Sequence, residues 1–89
     1  MRFESDSRKS ANNRDKHGID FSDAQALWED PDRVEIPART EDEPRAMIIG
    51  RIGPVVWSAV ITYRGDNVRI ISVRPASRKE VEIYEGQGI

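Results

Sequence analysis

Three runs rich in β-branched residues, Ala46 to Ile52, Val55 to Tyr63 and Val68 to Arg74, follow one another with only short breaks between them. The breaks are Gly53-Pro54 and Arg64-Gly65-Asp66-Asn67, turn signals of the hairpin kind, so the segment is expected to fold as an antiparallel meander. In the middle run Val55, Trp57, Ala59 and Ile61 alternate with Val56, Ser58, Val60 and Thr62. Neither set is strongly polar, so both faces of the sheet call for at least partial cover. A chain of 89 residues buries only roughly 60 to 65% of the surface that it exposes when unfolded, so the core is thin.

The cover has to come from the flanking segments. Met1 to Glu4 alternates around Phe3 and reads as a short strand. Arg8 to His17 reads as a helix, capped by Asp6 or Ser7 and closed by Gly18 in the left-handed conformation. This helix offers a core only Ala11 and the stems of Lys9 and Arg14, so it must lean on neighbours or on a partner protein. From Asp20 to Trp28, Phe21, Ala24, Leu27 and Trp28 form one apolar stripe, and Asp30-Pro31 ends the helix. Val34 to Pro37 reads as a short strand and Ala38 to Pro44 as an acidic loop bounded by proline. Ser77 and Glu80 have the S-x-x-E spacing of a capping box, opening a last helix through Val81 and Tyr84 that frays from Glu85 to Ile89. The expectation is a single α+β domain over residues 1–89. Two N-terminal helices pack on an antiparallel sheet of about four to five strands, and a helix closes the chain.

Composition removes several kinds of chemistry. There is no cysteine and one histidine, so disulfide frameworks and the usual zinc sites are excluded, and no metal or other cofactor is expected. The glycines fit turns rather than a phosphate-cradling loop, and no serine stands in a nucleophile-elbow context. No apolar run approaches the roughly 20 residues that span a bilayer, so a cytoplasmic protein without a membrane partner is expected.

What remains is charge. Residues 1 to 43 hold seven Lys/Arg against twelve Asp/Glu, whereas residues 44 to 89 hold seven against four. A basic half can face a polyanion while an acidic half meets a basic partner, although charge runs also serve simply as solvated faces. The basic half concentrates Arg64 in a turn, Arg69 and Arg74 on the last strand, and Arg78-Lys79 at the following helix start. Their guanidinium groups are expected to converge where strand meets helix, in the manner of a phosphate site. Strict alternation would place Arg69 and Arg74 on opposite faces. His17, beside Lys16 at a helix end, is the one residue of a type suited to proton transfer near neutrality. A histidine before a helix-ending glycine serves equally as a cap on the last carbonyls. Trp28, Trp57 and Tyr63 can stack on bases, but Trp28 lies on the helical stripe and reads as core.

Lys16-His17-Gly18 followed by Phe21, Ile48-Ile49-Gly50, and Arg69-Ile70-Ile71-Ser72 with Arg74 and Ala76 stand in the order and spacing of one family. With Phe3-Glu4, Asp6, Lys9, Ala24 and Asp30-Pro31 the likeness spans nearly the whole chain, which resembles the BrnT family of small toxins. The resemblance implies a RelE-like fold and a ribonuclease toxin of a type II toxin–antitoxin pair. It implies a BrnA-like ribbon-helix-helix antitoxin as partner, RNA as substrate, and contact with operator DNA only through that antitoxin. RelE-like toxins cleave without metal, by attack of the 2′-hydroxyl on the adjacent phosphorus. On that pattern Arg69 and Arg74, helped by Arg64 and Arg78, stabilise charge; Lys79 adds to the phosphate-binding surface, and His17 or Lys16 transfers protons. Similar proteins carry tryptophan at Ser5, proline at Ser7 and leucine at Arg14, so the first helix here is expected to be more loosely anchored. The reading from another class is a non-catalytic partner that forms a repressor complex with a ribbon-helix-helix protein.

Overall fold

The turn glycines set the frame of the sheet. Gly53 and Gly65 both adopt φ of 59°, a backbone conformation open to glycine at little cost, and each joins two antiparallel strands. The structure is a computed structural model, and it describes residues 1–38 and 43–86. Its five strands are β1 (Arg2–Glu4), β2 (Val34–Ala38), β3 (Arg45–Ile52), β4 (Val55–Arg64) and β5 (Asn67–Pro75), ordered β1-β5-β4-β3-β2. The meander of β3, β4 and β5 is antiparallel, as is the β2–β3 pair. β1, however, pairs parallel with the start of β5, through Phe3 opposite Val68. The sheet is therefore mixed rather than antiparallel. Most of the acidic loop expected from Ala38 to Pro44, and the last three residues of the fraying tail, lie outside the described residues.

Helix α1 (Ser7–His17) forms where its caps place it: Asp6 accepts from the backbone N–H groups of Arg8 and Lys9, and Gly18 closes the helix at φ 79°. Its attachment is polar. Asn13 is buried, donating to the Ile19 carbonyl at 2.8 Å and accepting from the Val73 N–H at 3.1 Å. Ser10 accepts from the Phe21 N–H. β1 covers the edge of β5 only as far as Arg69, so the Asn13 amide satisfies an edge N–H beyond it. Ala11, expected to face a core, is exposed instead.

The second helical segment is a 3₁₀ helix, Asp23–Glu29, shorter than the stripe from Asp20 suggested. Phe21, Ala24 and Leu27 are still buried, and Trp28 meets Phe3 edge-to-face with ring centroids 4.8 Å apart. They cover one face of the sheet against Ala46, Ile48, Ala59, Ile61, Val68, Ile70 and Val73. Helix α2 (Arg78–Gly86) lies on the other face, which its capping box and Glu80 tie to Ser58. Among the described residues no helix is long and apolar enough to cross a membrane.

Candidate functional site

One irregularity in β5 decides where its side chains point. Val60 is opposite Ser72 but Ile61 is opposite Ile70, so Ile71 is an extra residue bulging out of the ladder. The bulge resets the alternation. Ile70 and Val73 both enter the core, and Arg69, Ser72 and Arg74 consequently share the opposite face. This corrects the expectation from strict alternation that Arg69 and Arg74 lie on different sides.

Beside that face, α1 and β5 enclose a cleft of about 350 Å³. Lys9, Asn12, Lys16 and His17 of α1 form one wall, Ser72 and Arg74 of β5 the other, and Phe21 and Val73 contribute apolar lining. Residues 9, 12 and 16 recur at i, i+3 and i+7, one face of a helix. Asn13, which accepts from the Val73 N–H of β5 and donates to the Ile19 carbonyl just past the helix, docks α1 against β5 and therefore also sets the width of the cleft. Lys9, Lys16 and His17 make no ion pair with any described residue. Three groups able to carry positive charge thus border the cleft with no ion pair among the described residues, although the Asp6 pKa, lowered by hydrogen bonds from the backbone of Lys9 and Arg8, is lowered further by the charge of Lys9.

Arg74 is held differently. Its Nη1 and Nη2 donate to Glu80 Oε1 and Oε2 at 2.7 and 2.8 Å, a two-pronged pair. Glu80 Oε1 also accepts from the Ser58 hydroxyl and the Ser77 N–H. The Arg74 hydrogen bonds, outweighing burial and aided by the two serines, hold the Glu80 carboxyl down at about 2. The same hydrogen bonds push the Arg74 pKa upward against the effect of burial. The guanidinium is fixed, 43% exposed, and its Nε hydrogen-bonds to no described residue.

The remaining arginines do not join this cleft, so the expected single cluster of guanidinium groups is not what forms. Arg69 faces Glu4 of β1 at 3.8 Å. Arg78 pairs with Glu82 one turn along α2 at 3.9 Å and is 96% exposed, and Lys79 beside it is exposed. Arg64 is exposed where β4 turns into β5, at the end of β5 remote from Arg78. Sequence reasoning missed two participants: Lys9, read only as a stem packing on the core, and Glu80, recognised as a helix cap but not as the partner of Arg74. The helical spacing of Lys9, Asn12 and Lys16 was the available signal for the first.

A larger hollow of about 620 Å³ shares no lining residue with this cleft and is lined by Glu29, Asp30, Asp32, Arg51 and Tyr84 among others. Its three carboxylates disfavour a polyanion, so the smaller α1–β5 cleft is the candidate site.

The aromatic residues are mostly committed elsewhere. Trp28 and Trp57 pack against the core, and Tyr63, exposed, donates its hydroxyl to Glu35 at 2.7 Å.

No curated relative matches the chain. A family model does, that of the ribonuclease toxin BrnT of type II toxin–antitoxin systems, and the match runs over residues 6–80. That span takes in α1, all of β2 to β5 and the capping box of α2, including both walls of the cleft. A match over most of its length shows that this chain belongs to the BrnT family of type II ribonuclease toxins.

Proposed function

We propose that the chain is a metal-independent endoribonuclease toxin whose reaction takes place in the α1–β5 cleft. The observation carrying this reading is that Lys16 and His17 line one cleft with Arg74, which is distant from them in sequence. The 2′-oxygen attacks the adjacent phosphorus as its proton passes to a base. A bond forms between the 2′-oxygen and phosphorus, and the bond to the 5′-oxygen breaks. The departing 5′-oxygen takes a proton from an acid, leaving a 2′,3′-cyclic phosphate and a 5′-hydroxyl. His17 or Lys16 is the proton-transfer group, and a cation fixed in place is worth most where negative charge builds on phosphorus. Arg74 fills that role. Arg69, brought to the same face by the bulge, assists, and Arg64, Arg78 and Lys79 act further out on the RNA path.

The partner in this reading is a BrnA-like ribbon-helix-helix antitoxin that neutralises the toxin and carries it to operator DNA. The internal pairing of Arg69, Arg74 and Arg78 favours the alternative, a non-catalytic partner in a repressor complex. Labelled RNA incubated with the protein in EDTA separates the two. Fragments with cyclic-phosphate ends, lost in Lys16→Ala, His17→Ala or Arg74→Ala, support cleavage in this cleft. Intact RNA, with antitoxin binding preserved, leaves the repressor partner.

A further inference from the structure

Helix α1 carries the negative charge of its start just outside the first turn, on the capping carboxylate of Asp6. The first turn of a helix favours acidic side chains, because the macrodipole is positive there. Here that turn holds Arg8 and Lys9 and no acidic residue. Lys9 has no ion pair among the described residues and lines the cleft at the end away from His17. Seven residues separate it from Lys16, about 10 Å along the helix axis. Asn12 lies between them on the same wall. The cleft therefore extends along the helix beyond the reacting group, and both its ends are lined by cations on long flexible stems.

We propose that the Lys9 end of the cleft is a second phosphate subsite. It grips the phosphodiester next to the one held at Arg74, Lys16 and His17, so that a single strand of RNA lies along α1. The proposal rests on the cleft being where RNA is cut, and it adds the direction in which the strand runs. It also gives the polarity of α1 a purpose: the wall facing the cleft is a track for a backbone of anions.

The test measures binding of a 2′-O-methyl oligoribonucleotide, which lacks the attacking hydroxyl, by fluorescence anisotropy over a series of salt concentrations. Each phosphate contact to a single strand adds about 0.7 to the slope of log K against log salt. Lys9→Ala should lower the slope by about that amount, Lys9→Arg should restore it, and Lys16→Ala serves as the parallel loss at the other end. A slope unchanged in Lys9→Ala but lowered in Lys16→Ala overturns the second subsite alone. A wild-type protein that binds but never cuts unmodified RNA, with the Lys9 slope change intact, refutes the nuclease and keeps the track. Absence of any RNA binding overturns both.

Discussion

Glu80 is the most exacting place to test how this structure is held, because one carboxylate joins α2, β4 and β5. Replacing it by glutamine keeps the shape and removes the charge that Arg74 grips with two hydrogen bonds. A carboxyl whose pKa falls from 4.5 to about 2 on folding contributes at most about 3 kcal/mol at neutral pH. Arg74 is 43% exposed, and solvent screening of its charge brings the expected loss in Glu80→Gln to about 2 kcal/mol. The sign follows from the folded-state value lying below the unfolded one. The contribution is complete well above 4.5 and is lost as the pH falls towards 2. Urea denaturation followed by circular dichroism, on wild type and variant at neutral pH and again near pH 3, reads this directly. The gap in stability should be full in the first condition and shrink to about half in the second. An equal gap at both pH values would refute the reasoning, since it would assign the loss to shape or to the neutral hydrogen bonds from Ser58 and Ser77.

Three further outcomes follow from other contacts. Asn13→Ala strands the Ile19 carbonyl and the Val73 N–H, both bonded to the buried amide; it should cost about 3 kcal/mol in thermal or urea unfolding and raise amide exchange at Val73. Gly50→Ala places a methyl carbon 3.1 Å from Leu27 Cδ2. The crowding should cost about 1–3 kcal/mol and disturb the near-ultraviolet signal of Trp28 on the adjoining 3₁₀ helix. Tyr63, pushed up to about 12 by desolvation and then by its bond to Glu35, should ionise late in a spectrophotometric titration. Glu35→Gln should bring that step down, and a titration that does not move would refute the contribution of the carboxylate.

Much of the fold was legible because its signals are local. The two glycine turns, the Asp6 cap, the left-handed Gly18 and the Ser77–Glu80 box each depend on a few neighbouring residues, and each stands where the sequence implied. The misread elements depend on partners far along the chain. Three residues of alternation around Phe3 mark a strand but carry no information about whether its neighbour runs parallel. Phe21, Ala24 and Leu27 repeat every third residue, a spacing that a 3₁₀ helix satisfies better than the 3.6-residue turn that was expected. Asn13 was opaque for a different reason. An amide in a polar helix gives no apolar period, and its burial is stabilised only by a carbonyl and an N–H that the fold brings to it.

The candidate site was legible in its residue types and hidden in its geometry. Arginines at 69 and 74 were visible, but the side each one faces turns on the single inserted residue Ile71, and a bulge has no fixed sequence mark. The same insertion keeps Val73 in the core while leaving Arg74 free to line the cleft. Charge was misjudged similarly, because counting basic residues says nothing about which carboxylates return to meet them. Glu4 and Glu80, one towards each end of the chain, partner Arg69 and Arg74, while Lys9, Lys16 and His17 on the polar helix have no such ion pair among the described residues. The electrostatic pull on an anion therefore comes first from α1 rather than from the arginine-rich strand. Arg74 supplies a cation whose position is fixed but whose charge is partly met, a combination suited to orienting a phosphate that the lysines attract.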